Sequence, residues 1–247
     1  MNRLKLRELT RKKLGETTGA FWSDDEIHEF INEGCRDIAM FAKCIRASGY
    51  ISTSDCTTTT TSPGGTTETT MTAINPDILS ITEVYFLLDG NDWIKLESIT
   101  IDELDKDHDG WRTGAGRTFV NTTNGVVTYN YGSHPSVPFV YYWDREENLF
   151  GWYPPTDARQ TTSNNMRVYF TKRHPDIASD NDNPLLPESL HLAVTDFAAA
   201  VGFETRGIID RANDYWRKYN ERLLTYITER KRERTDEEVI MKNYRNR

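Results

Sequence analysis

From Ile27 onward, apolar residues recur at three- and four-residue steps: Ile27, Phe30, Ile31, Gly34, Ile38, Phe41, Ala42 and Ile45. The opposite face carries Glu29, Glu33, Arg36, Asp37 and Lys43. That period predicts one amphipathic helix over 23–47, about six turns long, which other helices must cover. Ser23 and Glu26 form a capping box at its start: the Ser23 hydroxyl accepts from the Glu26 N–H, and the Glu26 carboxylate reaches back to the Ser23 N–H. Asp24 and Asp25 suit the positive end of the helix dipole. Trp22 stands where a hydrophobic staple packs back onto the helix, and Gly49 is placed for a left-handed C-terminal cap. Residues 3–14 predict a short helix, with Leu4, Leu6, Leu9 and Leu14 among Arg and Lys. Two further stripes lie near the other end. Residues 187–205 carry Leu190, Val194, Phe197, Ala198 and Val201; residues 208–232 carry Ala212, Tyr215, Trp216, Tyr219, Leu223, Tyr226 and Ile227. Only a short break at Gly207 separates them, which predicts an antiparallel pair.

Between these helices the period shortens to two. Ile81–Leu88 and Trp93–Ile99 read as strands joined at Asp89-Gly90-Asn91-Asp92, a hairpin signal. Arg117–Asn121, Val126–Tyr131, Val137–Trp143, Leu149–Tyr153 and Met166–Arg173 read as further strands, with Asn124-Gly125 and Pro154-Pro155 among the turns. Thr100 and Glu103 form a second capping box, opening a short helical turn to Asp105. Residues 50–72 are Thr-rich around Ser62-Pro63-Gly64-Gly65, either a long exposed loop or a polar hairpin turning at Pro63–Gly65. His174–Pro187, rich in Pro, Asp and Asn, reads as a linker. The expected fold is α+β. Helices of 1–49 and 187–232 form one bundle, an antiparallel β-sandwich or barrel spanning 50–174 is inserted between them, and 233–247 is an extended tail.

Composition narrows the function classes. The chain has 247 residues, 28% of them charged and 11% aromatic, enough for one large core or two small ones. No apolar run approaches the ~20 residues of a membrane helix. The opening MNRLKLRELTRKKL is basic without an apolar core, unlike a secretory signal. Cys35, Cys44 and Cys56 are odd in number and lack CxxC spacing, so buried thiols in a reducing cytoplasm are expected. A net charge of −8 argues against binding nucleic acid through a basic surface, while leaving room for transient contact with DNA or for a channel through which DNA slides without sticking.

Candidate chemistry is sparse. Asp105-Lys106-Asp107-His108-Asp109-Gly110 matches the first half of an EF-hand loop, but the twelfth position is Gly116 instead of the closing Glu, so a solvated acidic turn is expected. Gly110, Gly114 and Gly116 precede no helix and make no phosphate cradle. His28, His108, His134, His174 and His191 form no HExxH or HxH pair, and His28 reads as a surface or edge residue. No GxSxG elbow or Cys-His arrangement stands out, and nothing nominates a carboxylate pair for glycoside hydrolysis. The aromatics of FVYYWDREENLFGWYPP alternate as strand neighbours do. No enzyme activity and no cofactor is expected.

Several collinear segments carry a resemblance. Phe21-Trp22-Ser23-Asp24-Asp25-Glu26-Ile27 leads into Phe30-Ile31-Asn32-Glu33-Gly34-Cys35-Arg36-Asp37-Ile38-Ala39. Ile81-Thr82-Glu83-Val84-Tyr85-Phe86 follows the turn Asn75-Pro76-Asp77. Then come Leu96 to Asp105, Phe150-Gly151-Trp152-Tyr153-Pro154-Pro155-Thr156-Asp157-Ala158, Met166 to Arg173, and Leu186-Pro187-Glu188-Ser189-Leu190-His191 opening an Ala-rich helix. In this order, across roughly residues 3 to 230, the chain resembles the head-to-tail adaptor proteins of tailed bacteriophages. The Thr-rich stretch 50–72 and the tail past 230 depart from that pattern.

The resemblance implies a structural virion protein at the head–tail junction, assembled in the host cytoplasm. Copies would form a ring of about twelve beneath the portal protein, offer a docking surface to a tail or nozzle protein, and let double-stranded DNA pass through the centre. Trp216, Tyr219 and Tyr215 are then candidate anchors between subunits, because aromatic residues carry much of the energy of interfaces. Val239-Ile240-Met241 and Tyr244, set among blocks of charge, are candidates for docking on the portal. The competing reading is a tail-associated carbohydrate-binding or hydrolytic β-domain protein; a host-encoded β-rich binding module is a third.

Overall fold

The computed structural model describes residues 1–16, 21–51, 57–58, 67–70, 77–89, 92–107, 138–144, 149–153 and 165–245. The chain divides into two units, Met1–Ile45 with Lys172–Arg247, and Arg46–Thr171. Four of the five described α-helices lie in the first unit and the described strands, with one short helix, in the second, an α+β arrangement.

The first unit contains α1 (Arg3–Leu14), α2 (Asp24–Ala42), α4 (His191–Thr205) and α5 (Ile209–Arg245), with a 3-10 turn at Glu188–Leu190 before α4. The Ser23–Glu26 capping box forms: the Glu26 N–H reaches Ser23 Oγ at 3.2 Å and the Ser23 N–H reaches Glu26 Oε2 at 2.8 Å. Trp22 is buried and meets Phe30 edge-on, with ring centroids 5.3 Å apart. The helix ends earlier than its apolar stripe predicts. Lys43, at φ 47°, caps it by donating to Ala39 O at 3.0 Å, and Gly49 lies inside a strand. Local alternation explains the stop. Arg46, Ser48 and Tyr50 alternate with Ala47, Gly49 and Ile51, a two-residue period that fits a strand. Phe41, assigned to the stripe by its spacing, is 59% exposed beside the exposed Met40.

The centre of this unit is α4. Its sequence promises one apolar stripe, but it is buried on nearly every side from His191 to Phe203, because α1, α2 and α5 all pack against it. Gly34 of α2 permits the approach: a Cβ there would stand 3.0 Å from Phe197 Cδ1. Ile27, Ile31, Cys35 and Ile38 of α2 join Leu6, Leu14, Val194, Phe197, Phe203, Tyr219 and Leu223 in one core. The α4–α5 break falls at Gly207, which adopts φ 73°. Residues from 233, expected as an extended tail, instead continue α5 to Arg245. Glu, Arg, Lys and Met, frequent in this stretch, favour helix.

The linker expected over His174–Pro187 is folded onto this unit. Ile177 and Leu186 are buried, Arg3 Nε donates to Asp180 at 2.9 Å, and Asn32 Oδ1 accepts from the Ile177 N–H at 2.9 Å.

The second unit is a sheet of eight described strands. They are β1 (Arg46–Ile51), β2 (Thr57–Thr58), β3 (Thr67–Thr70), β4 (Ile78–Asp89), β5 (Asp92–Ser98), β6 (Val140–Asp144), β7 (Leu149–Tyr153) and β8 (Met166–Lys172). Their order is β1-β8-β4-β5-β6-β7-β3-β2. The β4–β5 hairpin forms as its turn predicts. β2 and β3 pair antiparallel within the Thr-rich stretch, and β3 continues onto β7; the turn at Pro63–Gly65 lies outside the described residues. So do the strands expected at Arg117–Asn121 and Val126–Tyr131. The sheet is mixed, which corrects the expectation of purely antiparallel pairing. Glu97↔Val140 and Ser98↔Tyr141 pair parallel. A parallel neighbour needs a crossover, and the chain from Ser98 to Val140 is long enough to supply one, beginning with α3 (Ile101–Asp107). α3 opens on the Thr100–Glu103 box, with Glu103 N to Thr100 Oγ1 at 3.2 Å.

Candidate assembly surfaces

Among the described residues, the cysteines and histidines singled out in the sequence sit in packed or hydrogen-bonded positions. Burial pushes the Cys35 thiol up to about 12 and raises that of Cys44, so both stay protonated and unreactive. Cys56, His108 and His134 lie outside the described residues, as does the acidic turn beyond Asp107. Among the described residues no group of three or more His, Cys, Asp and Glu is placed to hold a metal ion. His28 is half-buried, an edge position instead of a fully exposed one. It accepts from Arg7 Nη1 at 2.9 Å and lies 3.6 Å from Asp180, and burial, reinforced by the charges of Arg3 and Arg7, holds its pKa below the usual value. His174 Nε2 accepts from the Leu185 N–H at 2.9 Å, and His191 Nε2 meets Leu186 O at 3.0 Å. Burial lowers the pKa of both; that favours the unprotonated Nε2 with which His174 accepts, whereas His191 donates its Nε2–H to Leu186 O, a bond that by itself pulls the pKa the other way.

The three aromatics of α5 face α4 of the same chain. Tyr219 is buried and donates its hydroxyl to Asp37, a residue expected on the solvent side of α2. Trp216, half-buried, meets Phe197 edge-on at 5.1 Å and donates Nε1–H to Glu204 at 3.3 Å. Tyr215 stacks on Phe203 at 5.7 Å, with 13° between the rings. Val239, Ile240, Met241 and Tyr244 fall on the last turns of α5.

The strongest polar contact of the first unit was not singled out from sequence. Asp196, 2% exposed, lies 2.6 Å from Lys13 Nζ and 2.8 Å from Arg222 Nε, tying α4 to α1 and α5. Thr195 Oγ1 also accepts from Lys13 Nζ, at 2.7 Å. A lone carboxylate inside LAVTDFAAA was the available signal, since a buried charge requires partners. Beside it, Ser189, Lys218, Glu221, Arg222, Thr225, Tyr226 and Glu229 line an open cleft of about 530 Å³.

On the sheet, Val84, Phe86, Leu96, Phe150, Trp152, Met166, Val168 and Phe170 form the inner core. The outer face of the neighbouring strands is aromatic. Tyr50, 50% exposed, lies 6.4 Å from Trp93, and Tyr85 meets Tyr169 edge-on at 5.8 Å. The Arg167 guanidinium stands between Tyr169 at 4.7 Å and Tyr50 at 5.5 Å. Among the described residues no helix is long and apolar enough to cross a membrane.

Among comparisons with known proteins, the family model described as SU10 adaptor protein matches residues 1–241. No curated protein matches the chain.

Proposed function

The chain belongs to the SU10 adaptor family, and from that premise we propose that copies of it form a ring beneath the portal of a tailed phage, joining head to tail. As a phage adaptor it is a structural component of the virion. The observation that carries the proposal is the family match across 1–241, which takes in the helices at both ends and the β unit between them. A ring of about twelve copies would surround a lumen for double-stranded DNA. The net charge of −8 suits that passage, because a like-charged wall does not hold the phosphate backbone. The last turns of α5, with Ile240, Met241 and Tyr244 at spacings a helix gathers on one side, would dock on the portal. The β2–β3 hairpin would reach the neighbouring subunit or the tail or nozzle protein. Electron microscopy of the purified chain mixed with the portal protein of the same phage tests this reading. Rings capping the portal are expected; a chain that stays monomeric and unbound overturns it.

A further inference from the structure

The outer sheet face carries two arginines that form no close ion pair among the described residues, although, beside the hydrogen bond from Lys95, the Arg46 charge helps hold the nearby Glu83 carboxyl below its usual pKa. Arg46 is exposed on β1, on the same side as Tyr50, and Arg167 pairs with Tyr50 across β1 and β8. Arg167 is held between two tyrosine rings, and its Nε is buried without a hydrogen-bond partner. Lys95 on β5, two strands away from β8, is different, being paired with Glu83 at 2.7 Å. Trp, Tyr and Arg together are the composition enriched in the centres of protein interfaces.

The complementary surface lies on α2. Asp25, Glu29 and Glu33 are exposed and recur every four residues; no ion pair to them is found among the described residues. At 100° per residue they fall with the exposed Met40 within about 80° of arc. Arg36 shares that arc, but Asp176 neutralises it at 2.6 Å.

We propose that α2 of one copy docks its acidic face onto the Arg46–Arg167 face of the next copy. Carboxylates would meet the two guanidinium groups, whose planar fork suits them, and Met40 would lie against the rings of Tyr50 and Trp93. The two patches differ, so the contact is head-to-tail, the kind that closes into a ring when the rotation fits. The inference rests on the ring reading above and names the surfaces that would make the ring.

A charge swap tests it, with rings on the portal as the readout. Arg46→Glu with Arg167→Glu places acid against acid; Glu29→Lys with Glu33→Lys places base against base. Each pair is expected to raise the concentration needed for rings by about tenfold or more. All four changes in one chain restore opposite charges and should restore assembly. Circular dichroism checks folding, and Arg167→Gln replaces Arg167→Glu if the latter unfolds the chain. Normal rings from both charge-changed pairs, or no recovery in the fourfold variant, overturn the contact while the ring reading stands. Failure of the unaltered chain to form rings overturns both.

Discussion

Tyr219 on α5 donates its hydroxyl to the carboxylate of Asp37 on α2, joining two helices that lie 182 residues apart in sequence. Burial first, and then the hydrogen bond to Asp37, push the Tyr219 pKa far above its ordinary value. Tyr219→Phe keeps the ring and removes the bond, which should cost about 1–2 kcal/mol. For a chain of this size that lowers Tm by roughly 2–8 °C. The pH dependence has a definite sign. A folded pKa raised above the unfolded value gives stability that is complete below the unfolded pKa near 10 and is lost as pH rises beyond it. The difference in stability between the unaltered chain and Tyr219→Phe should therefore be flat from neutral pH to about 9 and shrink above 10. Denaturant titrations across that range measure it; a difference that grows with pH contradicts the assignment.

Asp196 gives a second test. Asp196→Asn leaves Lys13 buried without its counter-charge. Arg222 and part of Lys13 reach solvent, so the loss is smaller than for a fully buried pair, about 2 kcal/mol. Burial already lowers the Lys13 pKa against the opposing pull of Asp196. Without that pull it falls further. Between the lowered folded value and the unfolded value the unfolded chain binds more protons, so stability rises with pH there. The deficit of Asp196→Asn should thus narrow as pH rises from neutrality toward the unfolded lysine value of 10.5, and urea unfolding at several pH values would detect a deficit that does not.

The helices were legible because their signals are local. The Ser23 box, the Thr100 box and the Gly207 break are each written within a few residues and appear where expected. The end of α2 was not, because its apolar stripe runs through Phe41 to Ile45 while a strand period begins at Arg46. The place of Asp37 was hidden likewise. Its spacing puts it opposite Ile27 and Ile31, and only the approach of α5 turns a solvent position into a bonded one. The parallel β5–β6 pairing is a long-range property that alternation within a strand cannot report. The outer sheet face escaped notice for the same reason. Tyr50, Trp93 and Arg167 come from three separate strands and become one surface only through the strand order.

Trp216 separates an internal from an external role. Its ring meets Phe197 at 5.1 Å and Tyr219 at 5.9 Å, contacts within one protomer. Trp216→Ala should cost about 3 kcal/mol, the low end for a large aromatic because the residue is half-buried. Tm of the isolated chain should fall by roughly 6–12 °C. An unchanged Tm together with lost rings would instead make Trp216 an anchor between copies.

The last turns of α5 decide how the chain meets the portal. Arg230 ties the helix to its own unit: its Nη1 reaches Lys43 O at 3.4 Å and its guanidinium lies 6.0 Å from the Tyr226 ring. Truncation after Arg232 keeps those contacts and the whole core drawn from Ala212, Tyr219, Leu223 and Ile227. Isolated helices shorter than ~12–15 residues are marginal in water, so the removed turns add little to the stability of the fold. Tm should therefore change by no more than about 2 °C. If the segment docks through Ile240, Met241 and Tyr244, the truncated chain should no longer co-purify with the portal protein. Ile240→Glu in the full-length chain should weaken the same contact, since it places a charge among those apolar positions without shortening the helix. Both measurements need matched salt, because the flanking Arg, Lys, Asp and Glu residues contribute attractions that salt screens. Full portal binding by the truncated chain would remove α5 from the contact and leave the docking to other surfaces.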